Sequence, residues 1–345
     1  MRGYKMKKFF GMLLSITMFG VMAVGCGSQV AESNELIKPG AENLEEDDDG
    51  LITIGFSQVG AESDWRVANT KSMKETLSEE NGFKLIFADA QQKRENQIKA
   101  VRDFISQEVD VIVIAPVTEK GWETVLGEAK DVGIPVIIVD RMIEVSDDSL
   151  FKCWIGSDFY HQGVKAVKWL VDYMNSIGRG DEQLNVVVLQ GTMGSTAEIG
   201  RTKSVRDELA KHSNYKIIAE QGGEFTQAKG QEVMESFLKT GQKIDIVISQ
   251  NDNMSFGVID ALKAAGKVPG KDVIIVSFDA VKAAFVSMIA GDMNVSVECN
   301  PLHGPRVAEV VKAIMEGKEV EKIQHVEEGI YPADRAAESI AQREY

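Results

Sequence analysis

A strand–loop–helix order runs through this chain twice, and few architectures accommodate it. In the first pass, short apolar strands are predicted at 51–56, 84–88, 109–115 and 135–140, with helices at 65–80, 91–107 and 121–132 between them. The segment 95–105 places Ile98, Val101, Phe104 and Ile105 on one helical face. In the second pass, strands are predicted at 185–190, 215–220, 244–250 and 272–279, with helices at 196–212, 226–240 and 255–266. FKLIF at 83–87 matches YKIIA at 215–219, and DVIVI at 110–114 matches DIVIS at 245–249. Each pass then closes on a strand ending in aspartate, Asp140 or Asp279. Phe83 to Tyr215, Asp110 to Asp245 and Asp140 to Asp279 are 132, 135 and 139 positions apart. Apolar strands alternating with amphipathic helices give an α/β fold with a mostly parallel sheet covered on both faces. The regular offset predicts two similar α/β domains; the alternative is coincidence between two generic α/β halves.

The join between the halves is short. CWIGSD at 153–158 reads as a strand running from one lobe into the other, which makes it a hinge. Another strand is predicted at 294–299, followed by Pro301 and a helix at 304–316, and the tail at 323–345 is able to close either lobe. Several crossings would couple lobe closure to ligand binding.

The first 50 residues have a different character. Arg2, Lys5, Lys7 and Lys8 precede an apolar run at 9–24, too short for a spanning helix and shaped like the hydrophobic part of a secretory signal. The run leads into Ala23-Val24-Gly25-Cys26, which resembles a bacterial lipobox with Ala23 where Leu is usual. Residues 1–25 therefore read as a lipoprotein signal, with Cys26 as the lipidated residue and the membrane reached through that lipid. An ordinary signal peptide with a chance cysteine is the alternative. Residues 26–50 read as an acidic tether, carrying Glu45-Glu46-Asp47-Asp48-Asp49 and too little apolar surface to offset ordering entropy. That run lacks the alternating spacing of a calcium loop. The net charge is −15, and about −19 without the four basic residues of the signal, a surface that repels nucleic acid.

Polar and aromatic residues gather just past the strand ends, where parallel sheets place ligands. The loop after the first strand supplies Gln58, Glu62, Trp65 and Arg66. The fourth strand ends in Asp140-Arg141. In the second half a glycine-rich turn at 191–195 leads into a helix carrying Arg201, and the later strands end near Asn251 and at Asp279. Asn300 is a weaker candidate. Carboxylates and amides suit vicinal hydroxyls, arginine offers a rigid donor fork, and tryptophan a flat apolar wall. Such a set suits a small neutral polyhydroxylated ligand held between two lobes. Each residue has a plainer reading: Asn251 and Asp279 as helix caps, Arg201 as part of a solvated face with Lys203 and Arg206, Trp65 as core.

Catalytic motifs are missing from the chain. There is no G-x-S-x-G elbow, and the turn at 191–195 lacks the Gly-Lys-Ser/Thr ending of a phosphate loop. His161, His212, His303 and His325 show no paired metal spacing, and Cys153 and Cys299 form no C-x-x-C. Two free or buried thiols is the simplest reading of that pair, with a disulfide as the alternative in an exported protein. No enzyme activity, cofactor or metal is expected.

The strings GFSQVGAESDWR at 55–66, QQKRENQIKAVRDFI at 91–105, IAPVTEKGWETVL at 114–126 and KGQEVMESF at 229–237 resemble the type I periplasmic sugar-binding proteins of ABC importers. The resemblance covers nearly all of 51–345 and is nearest the galactofuranose-binding branch of the ribose/galactose group. It implies two Rossmann-like lobes joined by three crossing segments, with a sugar between them. The lobes would be 51–154 plus about 300–328, and 155–299 plus about 329–345. It also implies a monomer that hands a monosaccharide, galactofuranose or a related pentose or hexose, to an ABC transporter permease. By position, its contacts fall on Trp65, Arg66, Asp140, Arg141, Arg201, Asn251 and Asp279. A glutamine usual near Cys299 in the ribose-binding branch is absent, and Asn300 is the substitute. A sensing role, feeding a membrane sensor kinase or chemoreceptor, is the alternative; a transcription regulator would need an N-terminal helix-turn-helix where this chain has a signal and a tether.

Overall fold

A computed structural model describes residues 50–345; the predicted signal, tether and Cys26 lie outside the described residues, apart from Gly50. The first lobe runs β1 (Ile52–Gln58), α1 (Asp64–Thr76), β2 (Phe83–Asp89), α2 (Arg94–Ser106), β3 (Val111–Ile114), α3 (Glu123–Asp131), β4 (Val136–Val139) and β5 (Cys153–Gly156). The chain then crosses into the second lobe: α4 (Phe159–Ser176), β6 (Leu184–Gln190), α5 (Thr196–Leu209), β7 (Tyr215–Gly222), α6 (Gln227–Lys239), β8 (Ile246–Ser249), α7 (Asp252–Ala264), β9 (Ile274–Asp279), α8 (Lys282–Ile289) and β10 (Val295–Glu298). It returns for α9 (Gly304–Met315) and β11 (Ile323–His325). It crosses once more for β12 (Ile330–Pro332) and α10 (Ala336–Ser339).

The two sheets repeat one topology. The first has the order β11-β5-β4-β3-β1-β2, all pairs parallel. The second has β12-β10-β9-β8-β6-β7, with only β12 antiparallel. Central strands are buried on both faces, so they read as unbroken apolar runs. Alternation within β3 sorts its residues. Val111 and Val113 face Met73 of α1, Leu77 just past it, and Val307 and Val311 of α9. Ile112 and Ile114 face Val101 and Phe104 of α2 and Val125 and Leu126 of α3. The second lobe does the same, with α4 and α5 on one face and α6, α7 and α8 on the other. Phe104 sits directly on β1, where a Cβ at Gly55 would lie 2.4 Å from its ring; only glycine lets α2 approach so closely. Burial of that ring contributes about 1.5–3 kcal/mol.

Three segments join the lobes: Ser157–Asp158 after β5, the stretch from Cys299 into α9, and Val326–Gly329 between β11 and β12. The tail therefore serves both lobes, since β11 pairs with β5 and β12 with β10. The predicted hinge strand is β5, and it belongs wholly to the first sheet, with Ile155 opposite Val139; the crossing begins after Gly156. Helix boundaries also shift. α1 stops at Thr76 rather than at residue 80, because the chain turns through a short 3-10 segment to Gly82 at φ 87°. α2 starts at Arg94 rather than at residue 91, because Gln91 and Gln92 adopt φ 52° and 59°. Three helices were not anticipated, the 18-residue α4, the 8-residue α8 and the 4-residue α10. Among the described residues no helix is long and apolar enough to cross a membrane.

Candidate functional site

The carboxyl ends of both sheets face each other, and the lobes touch around the rim. The Glu119 N–H donates to the Gly194 carbonyl (3.2 Å), the Met142 N–H to the Thr196 hydroxyl (2.9 Å), and the Asp64 N–H to the Asn253 side chain (3.0 Å). Each bond joins one lobe to the other, so this is a closed form. Inside lies a small cavity lined by residues of both lobes.

The first lobe's wall starts with the turn after β1. Ser63 caps α1 by accepting from the Arg66 N–H, which fixes the helix start at the cavity. That places Trp65 and Arg66 on the first helical turn, buried and facing inward. The Trp65 indole N–H donates to the Cys299 carbonyl (2.7 Å), and the Arg66 guanidinium lies 4.6 Å from its ring centroid. Arg66 is fully engaged: Nε with Glu62 (3.0 Å), Nη1 with Gln58 (3.1 Å) and Nη2 with Asp140 (2.7 Å). One Glu62 oxygen, Oε2, is buried without any hydrogen-bond partner. Arg141 donates to the Val117 carbonyl (2.9 Å) and its guanidinium lies over Phe225 of the other lobe at 5.4 Å.

The second lobe supplies a matching wall. Ser195 caps α5 as Ser63 caps α1, and Arg201 follows on the second turn. Its guanidinium, only 2% exposed, donates to Gln162 (Nε, 2.9 Å) and to the Gln250 carbonyl (Nη1, 2.5 Å). It lies 3.7 Å from Asp279 and against the faces of Phe278 and Phe159. Asn251 caps α7 through Oδ1 and donates to the Phe225 carbonyl (3.0 Å). It is thus both a cap and a wall residue. Gly191 makes room for Phe225, since a Cβ there would lie 1.8 Å from the ring.

Asp140 and Asp279, the equivalent strand ends, share a backbone peculiarity. Their φ angles are 62° and 104°, a region costing about 1–3 kcal/mol for a residue with a side chain. In both lobes this turn sets the carboxylate on the cavity wall.

The charges balance: three guanidinium groups against Glu62, Asp140 and Asp279. Burial pushes the Asp140 pKa up, but Arg66 and Arg141 outweigh it and hold the carboxyl below the usual range. Burial also opposes the charge on Arg66, yet Asp140 and Glu62 raise its pKa. Arg141, pushed down first by burial and then by the Arg66 charge, falls to about 10. Burial raises Asp279 well above a normal aspartate despite Arg201. Asp252 beneath it is raised to about 7, burial outweighing donors from Ser277, Ser296 and Val281. A wall with balanced fixed charges and many oriented donors and acceptors suits a neutral polar ligand.

Of the sequence-predicted residues, Glu62, Trp65, Arg66, Asp140, Arg141, Arg201, Asn251 and Asp279 all line this one cavity. Gln58 and Asn300 do not. Gln58 stands behind Arg66, its amide donating to Asn69 and Thr70. Asn300 turns away, its side chain accepting from the Leu302 N–H and its own N–H donating to Glu328. The reading of Arg201 as a solvated helix face is corrected by its burial at the cavity, whereas Trp65 belongs both to the core of the second lobe's face and to the cavity lining. Sequence reasoning missed Ser63, Phe159, Ala197, Phe225 and Cys299, which complete the lining. The repeat held a signal for part of this, since Ser63 and Ser195 are 132 positions apart, the offset of the strands. Cys153 and Cys299 are both free and buried, which removes the disulfide alternative. Burial raises the Cys153 thiol to about 11 and Cys299 well above its ordinary value, so neither is a reactive thiolate.

Comparison with known proteins fits this geometry. The family model for the periplasmic binding protein domain matches residues 54–319. The galactofuranose-binding protein YtfQ of Escherichia coli K12 is 43% identical over 296 residues, covering 85% of this chain and 91% of that protein. Among solved structures, the binding component of the arabinose ABC transporter from Shewanella sp. ANA-3 was determined with α- and β-L-arabinofuranose bound. It is 45% identical with a TM-score of 0.80, covering 85% of this chain and 95% of that one. A Mycobacterium smegmatis protein in complex with β-D-fucofuranose is 41% identical with a TM-score of 0.82 and the same coverage. The first two of these relatives are binding proteins by name.

Proposed function

Because this chain belongs to the periplasmic binding protein domain family, we propose that it captures one monosaccharide in its furanose form between its lobes and delivers it to an ABC importer. The observation that carries this reading is the closed cavity itself. Its apolar walls, Trp65, Phe159 and Phe225, alternate with the formally balanced set Arg66, Arg141, Arg201, Glu62, Asp140 and Asp279. A sugar ring has the same character, apolar on its C–H faces and polar at its edge. The furanose ring form is suggested by the relatives, whose named ligands are galactofuranose, L-arabinofuranose and β-D-fucofuranose. Galactofuranose leads, with arabinofuranose next.

The mechanism is lobe closure. Sugar contacts from both walls lower the free energy of the closed form relative to the open one, and the importer reads the closed surface. Glu62 Oε2, the buried acceptor without a protein partner, takes a sugar hydroxyl. Gln58 holds Arg66 in place from behind. Lipid on Cys26 tethers the protein outside the cytoplasm, at the membrane where the importer sits, and one chain acts alone.

The test is a thermal-shift screen across pentoses and hexoses, followed by calorimetry on each hit. Arabinose and galactose, which populate furanose forms in solution, raise the unfolding temperature. Stabilisation by an amino acid and by no sugar would overturn the proposal.

A further inference from the structure

The three lobe crossings meet at one carboxylate. Glu328, in the third crossing, accepts from the Ser157 hydroxyl of the first (Oε1, 2.5 Å) and from the Asn300 N–H of the second (Oε1, 2.9 Å). Its other oxygen accepts from the Gln162 side chain on the first turn of α4 (Oε2, 2.7 Å). The Glu328 backbone carbonyl accepts from Lys165 (2.8 Å). Since the Ser157 proton is committed to Glu328, the Cys299 thiol is the donor in its 3.3 Å contact with Ser157. None of Glu328, Ser157 or Gln162 lines the sugar cavity.

Gln162 connects this cluster to the cavity. Its carbonyl oxygen accepts from Arg201 Nε (2.9 Å), and its amide nitrogen donates to Glu328 and to the Glu298 carbonyl (3.1 Å). The amide therefore has one permitted orientation, with oxygen toward the guanidinium and nitrogen toward the carboxylate. A turned amide would place N–H against N–H on one side and oxygen against carboxylate on the other.

We infer that Glu328 is a positioning residue that clasps the three crossings in the closed arrangement, and that Gln162 couples the clasp to ligand engagement at Arg201. Three donors converge on two carboxylate oxygens, so an amide at 328 cannot satisfy them all. Its NH2 group would face the NH2 group of Gln162, and Gln162 cannot turn without opposing Arg201. Glu328→Gln thus breaks the link while keeping shape and every cavity side chain. Exchanging the pair, Glu328→Gln with Gln162→Glu, restores the polarity of the link: the new amide donates to the new carboxylate, which still accepts from Arg201 but leaves the Glu298 carbonyl without its donor.

The affinity half of the test rests on the proposed sugar ligand; the exchange half does not. Amide hydrogen exchange is followed on sugar-free protein in segments 157–162, 298–302 and 326–330, and the sugar Kd is measured by calorimetry. Glu328→Gln is expected to speed exchange in all three segments and raise Kd about tenfold. The exchanged pair recovers part of both effects, and Glu327→Gln at the exposed neighbouring position changes neither. Ser157→Ala, which removes a single donor, keeps the test open if Glu328→Gln does not fold; it moves exchange in the same direction by less. Unchanged exchange in Glu328→Gln and Ser157→Ala, or an exchanged pair no better than the single variant, overturns the inference. If no sugar binds the unsubstituted protein, the functional proposal fails and exchange alone decides this one.

Discussion

Replacing Arg201 with methionine tests the second lobe's share of the site. The guanidinium is buried and donates charge-assisted bonds to Gln162 and the Gln250 carbonyl, with Asp279 3.7 Å away. Methionine keeps the packing against Phe159 and Phe278 but no donor. Each lost bond from a charged group is worth about 1.5–3 kcal/mol. Asp279 limits the penalty, because burial already raises its pKa and it takes up a proton once the cation is gone. A net cost to sugar binding of about 2–5 kcal/mol follows, or about 30-fold to 5,000-fold in Kd. Calorimetry with the best sugar from the screen measures it. Arg206→Met on the same helix is the control. Arg206 is 56% exposed in its side chain and pairs with Glu220 at the surface, so binding should not change. A folded Arg201→Met protein with unaltered Kd would refute the assignment of Arg201 to the site.

Two further substitutions probe the surroundings. His303 is fully buried, meets the edge of Trp65, and has neither ring nitrogen hydrogen-bonded; burial lowers its pKa from 6.5 to about 4. The folded state therefore resists protonation that the unfolded chain accepts. Stability present at neutral pH is lost as pH falls from 6.5 to 4, by up to about 3 kcal/mol. Melting curves of His303→Phe should lack that component, and an identical pH profile in both proteins would contradict it. Gly191→Ala drives a Cβ into Phe225, which should cost about 1–3 kcal/mol of stability and weaken sugar binding. Denaturant unfolding checks the first effect and calorimetry the second; a neutral result would mean that Phe225 is free to move.

The repeat was legible because backbone hydrogen bonding and burial on both sheet faces leave a strong apolar signature. The site was legible where it depended on strand ends: Asp140 and Asp279 sit at matching positions, and the sheets bring their loops together. Gln58 misled because the carboxyl end of a strand is where ligand contacts are expected, whereas its side chain is used by residues of α1. Asn300 misled because the crossing turns its side chain back on Leu302. Phe159 and Phe225 were not legible, since an aromatic residue at a helix start or in a loop reads as core until the lobes close. Arg201 could not be told from Lys203 and Arg206 by composition. Only the packing of α5 on α4 and the second sheet separates the buried cation from the solvated ones. The Glu328 cluster joins residues 157, 162, 300 and 328, and no local pattern links positions so far apart.

The ring form of the bound sugar is the property that sets this binding protein apart from a pyranose binder. Galactose or arabinose labelled with carbon-13 at the anomeric position distinguishes furanose from pyranose by its chemical shift when bound. The protein-bound signal is expected to be furanose alone, whatever the proportion free in solution. A bound pyranose signal, or no bound signal from either sugar at saturating protein, would contradict it.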